Sequence, residues 1–133
     1  MLFHSFRSQA ERRKFGGSDF IQLTFCKLKR GTAIEEIVSN DAVIPLAWND
    51  SSLYIYGDDW NDFYDAYGEI ITDGTYSNFK TGYLDWCGIN YFSPEQAACI
   101  INKIQKEKPS DYQSLLAWLE NGTQYNGFYV LGV

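Results

Sequence analysis

The chain has 133 residues, of which 45% are hydrophobic and 17% aromatic, and its formal net charge is −6. This apolar content excludes an intrinsically disordered chain, and one domain of this length can bury a core without disulfides or metal. No apolar run reaches the roughly 18 residues of a membrane helix, and the N-terminus lacks the apolar core of a secretory signal, so we expect a cytoplasmic protein with no membrane partner.

The charges are divided unevenly along the chain. Residues 1–30 hold seven basic and two acidic side chains, whereas residues 31–90 hold eleven acidic side chains and one lysine. An acidic block repels nucleic-acid phosphates and attracts cations or basic proteins. We therefore predict no nucleic-acid partner, and we interpret the basic segment 1–17 as a mobile N-terminal arm.

Local signals in the first part of the chain predict short helices and strands. A Ser or Thr followed three residues later by Glu has capping-box spacing and favours a helix start, whereas alternation of side-chain type favours a strand. The predicted elements are a helix from Ser8 to Lys14 that Gly16-Gly17 ends, a strand at residues 20–28, a helix from Thr32 that stops at Asn40-Asp41, and a hairpin of VIPLAW and LYIY around residues 49–52.

The second part of the chain predicts a hairpin, two helices and a last strand. Its elements are a type I′ hairpin turn at Asp73-Gly74, a strand at residues 83–87, a helix opened by the capping box of Ser93 and Gln96, a helix capped by Ser110 and ended by Gly122, and a strand at residues 125–133. This order predicts a single α+β domain over residues 1–133. We expect a mainly antiparallel sheet of hairpins, with the C-terminal helix pair on one face and a final C-terminal strand.

Residues 56–70, YGDDWNDFYDAYGEI, combine five carboxylates and five aromatic rings with no lysine or arginine. A helix begun by Asp58 and ended by Gly68 places the rings on one face and most acids on the other. The rings on that face are Trp60, Phe63, Tyr64 and Tyr67, and the opposing acids are Asp58, Asp62, Asp65 and Glu69. Neighbouring carboxylates on a helix repel by about 0.2 to 0.5 kcal/mol per pair, and such local conflicts tend to mark functional sites.

Several interpretations of residues 56–70 stay open. The simplest is a core face of rings beneath a solvated face of acids. A calcium loop fails, because Phe63 stands where the third ligand is needed. Glycosidase-like hydrolysis needs two carboxylates about 5 to 10 Å apart, which one short helix does not establish. A negatively charged face for a basic protein uses both the acids and the interleaved Trp and Tyr side chains.

Other chemistry receives little support from the sequence. His4 is the only histidine, which disfavours Ser-His-Asp, Cys-His and multi-histidine zinc sites. Phosphate-binding and nucleophile-elbow motifs are missing from the sequence. The cysteines, Cys26, Cys87 and Cys99, show no paired spacing and are interpreted as buried reduced thiols. We predict no catalytic residue, metal or cofactor.

The whole-chain profile resembles the small acidic immunity proteins of bacterial polymorphic-toxin and contact-dependent inhibition systems. Residues 109–122, PSDYQSLLAWLENG, are similar to the Pro-x-x-Tyr-to-Asn-Gly helix of SUKH-type immunity domains, from which no binding residue is carried over. The resemblance implies a toxin partner and no catalysis.

The leading hypothesis is therefore an inhibitor that binds a cognate basic toxin domain, for example a nuclease. The residues predicted to contact the partner are the acids and two ring anchors, namely Asp58, Asp59, Asp62, Asp65, Glu69, Trp60 and Tyr67. The alternatives are a small carboxylate-dependent hydrolase and a regulatory protein that docks on another cationic protein.

Overall fold

The computed structural model describes residues 1–15 and 19–132, and these residues form one antiparallel sheet of six strands with helices on both faces. The strands are β1 (Phe20–Phe25), β2 (Leu53–Tyr56), β3 (Gly74–Thr75), β4 (Thr81–Gly82), β5 (Ile89–Phe92) and β6 (Phe128–Leu131). The helices are α1 (Gln9–Phe15), α2 (Ile34–Ile37), α3 (Asn40–Val43), α4 (Trp60–Tyr67), α5 (Pro94–Glu107) and α6 (Tyr112–Asn121). None of the described helices is long and apolar enough to cross a membrane.

The sheet has the strand order β2-β1-β6-β5-β3-β4, so the strand nearest the C-terminus lies in its middle. Phe128 of β6 pairs with Phe25 of β1 on one side and with Phe92 of β5 on the other. This arrangement confirms the α+β prediction with a final C-terminal strand.

Each face of the sheet carries its own apolar cluster. Alternate residues of β1, β2 and β6 pack with α4, α5 and α6 in the larger cluster, which includes Ile21, Ile55 and Ile104. Cys26, Tyr91 and other residues of the opposite face pack against α2. The C-terminal helix pair therefore lies on one face, as the sequence predicts, and α2 lies on the other.

The N-terminal segment is part of the packed domain. Leu2 and Phe3 are buried, and the Asp111 carboxylate accepts hydrogen bonds from both of their backbone N–H groups, at 2.9 and 3.0 Å. His4 exchanges two backbone hydrogen bonds with Tyr54, which extends the sheet beyond β2. Residues 1–15 are therefore not the free arm expected from the sequence, and the predicted helix end at positions 16 and 17 lies outside the described residues.

The start of α5 matches the capping-box prediction. The Gln96 N–H donates to Ser93 Oγ at 3.2 Å, and the Ser93 N–H donates to Gln96 Oε1 at 2.9 Å. Ile100 and Ile104 form the buried stripe of this helix.

We expect Ser93→Ala to lower the free energy of unfolding by about 0.5 to 2 kcal/mol, because the substitution leaves a helix N–H without its acceptor. Chemical denaturation measures the change, and Ser5→Ala at an exposed position is the control. Equal stability of the two variants would contradict the capping role.

Three local predictions before residue 60 are wrong. VIPLAW is helical rather than extended, since α3 is followed by a 3₁₀ helix at Ile44–Leu46. Asn40 begins α3 instead of stopping the preceding helix, because Ser39 Oγ accepts a capping hydrogen bond from the Ala42 N–H. Thr32 does not cap α2, because its hydroxyl donates to the Lys29 carbonyl instead.

Three later predictions also need correction. The hairpin of β3 and β4 turns at residues 76–80 rather than at Asp73-Gly74, with Phe79 in the left-handed region at a φ of 70°. Residues 83–87 form a loop rather than a strand. Asp111, not Ser110, occupies the N-cap position of α6.

Candidate functional site

Helix α4 is fixed to the domain by its buried aromatic face. Phe63 and Tyr67 are fully buried, and Phe3 meets both rings edge-on with centroid distances of 6.1 and 5.4 Å. The Tyr67 hydroxyl donates to the Ser110 carbonyl at 2.7 Å. Burial, together with the negative charge of Asp111, raises the pKa of Tyr67, so its hydroxyl keeps the proton that it donates. These contacts hold the helix in one orientation.

The opposite side of α4 presents the carboxylates to solvent. Asp58, Asp62, Asp65 and Glu69 are exposed, and Asp59 is partly buried. The predicted helix with a ring face and an acid face is therefore confirmed. Its bounds differ slightly, because a 3₁₀ helix at Gly57–Asp59 precedes Trp60 and the Asp59 side chain makes no capping bond.

The two ring anchors predicted for a partner lie in different environments. Tyr67 has no exposed surface and holds the core together, so it cannot contact a partner in this structure. Trp60 is partly buried and reaches the surface at the start of α4. Helical spacing places both residues on one face, but only the structure shows which end of that face the domain covers.

Two hollows, which we call the acidic hollows, border the exposed side of α4. The first, of about 480 Å³, is lined by Asp59, Asp62 and Asp65 together with N-terminal residues. The second, of about 430 Å³, is lined by Asp65, Glu69 and Glu107 and by two tyrosine rings. No lysine or arginine side chain lines either hollow. The carboxylates of the two hollows therefore have no lysine or arginine partner among the described lining residues.

An aromatic patch, defined here as Trp60, Tyr64, Tyr83 and Trp86, adjoins these carboxylates. The Trp60 ring lies 5.5 Å from Tyr64 and 5.9 Å from Trp86, and Tyr64 lines the second hollow together with Tyr83. Tyr83 is 67% exposed and Trp86 45% exposed. Neither residue was predicted as part of the site, because the strand expected at residues 83–87 would have placed both in the sheet. The only sequence feature that could have indicated a surface role for them was the pair of aromatic side chains near Asp85.

The loop that carries Trp86 is held by a buried asparagine. Asn90 Oδ1 accepts from the Asp85 N–H at 2.8 Å, and Asn90 Nδ2 donates to the carbonyls of Asp85 and Val130 at 2.8 and 2.9 Å. The Cys87 N–H in turn donates to the Asp85 carboxylate. The side-chain amide of Asn90 thus forms hydrogen bonds with a loop that has no strand partner. These bonds position Trp86 beside Trp60.

We expect Asn90→Ala to lower the free energy of unfolding by about 1 to 3 kcal/mol, because it leaves the buried Val130 carbonyl and two partly buried backbone groups of Asp85 without their partner. The amide hydrogens of Asp85 and Cys87 should then exchange faster with solvent, which hydrogen-exchange NMR measures. Asn102→Ala on the exposed side of α5 is the matched control. Unchanged exchange in the loop would show that other contacts hold it.

The single histidine and the three cysteines lie outside α4. Across residues 1–15 and 19–132, no group of three or more His, Cys, Asp or Glu side chains is arranged to hold a metal ion. Cys26 is buried, but Cys87 and Cys99 are exposed, which corrects the expectation of three buried thiols. His4 packs 4.5 Å from the Phe15 ring, and burial lowers its pKa.

Comparison with known proteins finds no matching family model, no matching curated protein and no matching solved structure.

Proposed function

We propose that the protein is an immunity protein, an inhibitor that binds and neutralises a cognate basic toxin domain. The observation that carries the proposal is the exposed acid face of α4, whose two hollows contain no lysine or arginine and adjoin the aromatic patch. Asp58, Asp59, Asp62, Asp65 and Glu69 supply the charge. Trp60 supplies an apolar anchor, and Trp86 extends it.

The chemistry of this surface suits a cationic protein partner. A concentrated negative potential accelerates encounter with a basic surface and disfavours acidic partners. Tryptophan and tyrosine side chains are favoured as interface anchors, and their faces also attract lysine and arginine side chains. A nuclease fits the proposal well, because an active site that binds phosphates is itself basic and can be covered by a surface of opposite charge.

The proposal is tested by affinity capture from the native host with three baits. They are the unaltered protein, the double variant Asp62→Asn/Asp65→Asn on α4, and the control Glu35→Gln/Glu36→Gln on α2, which removes the same charge from the opposite face of the sheet. We expect the unaltered protein and the control to retain one basic partner that the α4 variant retains poorly.

Expression of the captured partner then distinguishes an inhibitor from a regulatory protein. A toxin should arrest growth when it is expressed alone, and co-expression of the unaltered protein should restore growth. A partner that is harmless alone would favour docking on another cationic protein and would overturn the immunity proposal. Equal capture by the α4 variant and the α2 control would show that the acid face of α4 is not part of the interface.

A further inference from the structure

A separate pocket of about 350 Å³ opens between the start of α5 and the end of α6. Small-molecule sites in proteins have volumes of about 300 to 1,000 Å³ and mostly apolar walls. The walls of this pocket are mainly apolar side chains, including Phe25, Ile101 and Phe128. None of its lining residues belongs to the acidic hollows or to the aromatic patch, so the proposed inhibitor surface does not account for it.

The aromatic wall of the pocket is already formed in the free protein. The Phe25 ring is stacked between Trp118, at a centroid distance of 3.9 Å, and Tyr125, at 4.9 Å. Gly122 allows this close packing, since a Cβ at that position would lie 1.9 Å from the Phe25 ring. Ala97 and Ala98 of α5, whose side chains are small, also line the pocket.

Two oppositely charged side chains line this otherwise apolar pocket, Arg30 and Glu95. The Arg30 Nη2 group donates to the carbonyls of Thr123 and Tyr125 at 2.7 and 3.1 Å, which fixes the guanidinium near the chain that follows α6. Carbonyl oxygens are neutral, so the positive charge is left uncompensated by these bonds, and the other N–H groups can donate to a carboxylate. Glu95 lies in the first turn of α5.

We propose that this pocket binds a free amino acid with an apolar, preferentially aromatic, side chain. The carboxylate of the ligand pairs with Arg30, its ammonium group pairs with Glu95, and its side chain packs against Ala97, Ile101 and the ring of Tyr125, which are partly exposed apolar residues of the lining. A ligand with a single charge is attracted by one of the two charged residues and repelled by the other. A zwitterion with an apolar body therefore fits the lining better than an anion, a cation or a hydrocarbon.

Titration of the ¹⁵N-labelled protein with L-phenylalanine tests the proposal by NMR. We expect the amide signals of lining residues such as Leu119, Thr123 and Gly127 to shift with saturation. Phenethylamine, which lacks the carboxylate, and 3-phenylpropanoate, which lacks the ammonium group, should each bind at least about tenfold more weakly, because each loses a charge-assisted hydrogen bond. L-Serine, which lacks the apolar body, should not saturate.

Two variants assign the site. Arg30→Gln should weaken L-phenylalanine binding at least about tenfold, whereas Arg13→Gln on exposed α1 should leave it unchanged. Ala98→Trp should abolish binding by filling the pocket from α5. If Ala98→Trp does not fold, Arg30→Gln and the ligand series still test whether the pocket binds the amino acid.

Three results would overturn the proposal. The first is an absence of saturable shifts with L-phenylalanine at millimolar concentration. The second is equal affinity for L-phenylalanine and phenethylamine, which would indicate an apolar cavity without recognition of a zwitterion. The third is failure to bind amino acids together with loss of protein-partner affinity in Ala98→Trp, which would assign the pocket to a protein interface. The toxin experiments above do not depend on any of these results.

Discussion

Replacing Phe63 by alanine should lower the free energy of unfolding by about 3 to 5 kcal/mol, one of the largest effects expected of a single substitution in this domain. The ring is fully buried and contacts Phe3, Trp60 and Tyr67, so its removal leaves a cavity between α4 and the N-terminal segment. Chemical denaturation followed by circular dichroism measures the loss.

Trp60→Ala is the informative companion of Phe63→Ala. Because Trp60 is only partly buried, we expect a smaller loss of stability and a loss of partner affinity of about 2 kcal/mol or more, as for an interface anchor. Phe79→Ala, at a ring that is 55% exposed on the β3–β4 hairpin, controls for loss of an aromatic side chain. A Trp60→Ala protein with unchanged stability and unchanged affinity would contradict both roles of this residue.

The second large effect concerns the rate of association with the partner. Electrostatic steering raises association rates by about 10- to 1,000-fold, and the Debye length shrinks from about 30 Å at 0.01 M salt to about 8 Å at 0.15 M. We therefore expect the association rate of the unaltered protein to fall at least about tenfold over this range of salt. Asp62→Asn/Asp65→Asn should associate more slowly at low salt and depend less on salt.

The same double variant also separates a binding role of the acids from a structural role. Asp62 and Asp65 are exposed, and removing their mutual repulsion should leave the stability of α4 unchanged or slightly raised. Stopped-flow kinetics and chemical denaturation on one preparation measure both quantities, with Glu35→Gln/Glu36→Gln as the control of equal charge. An association rate that is independent of salt would rule out steering, and an unfolded double variant would show that the acids are structural.

Elements specified by neighbouring residues were predictable from the sequence. The start of α5 needs only local residues: Ser93 and Gln96 exchange two hydrogen bonds within a single turn, and Pro94 at the first helical position has no N–H that needs an acceptor. The amphipathic division of α4 likewise follows from helical spacing, because rings at such positions are covered by whatever the helix packs against.

Elements specified by distant residues were not predictable. The carboxylate of Asp111 accepts from Leu2 and Phe3 instead of capping α6, and no local pattern reveals that partner. The loop with Trp86 resembles a strand in sequence, yet Asn90 holds it in another conformation while it also donates to the carbonyl of Val130, 40 residues further along the chain. Tyr83 and Trp86 were therefore found only from the structure, whereas the acids and Trp60 were visible in the sequence.

The central position of β6 affects how the chain folds during synthesis. Strand β1 pairs with β6, which lies about 100 residues further along the chain, so at about 5 to 20 residues per second the ribosome needs roughly 5 to 20 s to supply this neighbour. During that interval one edge of the apolar strand FIQLTF lacks its final partner, and open strand edges invite pairing with other chains. The nascent protein is thus most exposed to aggregation before β6 emerges, and a chaperone that covers β1 at that stage would raise the yield of folded protein.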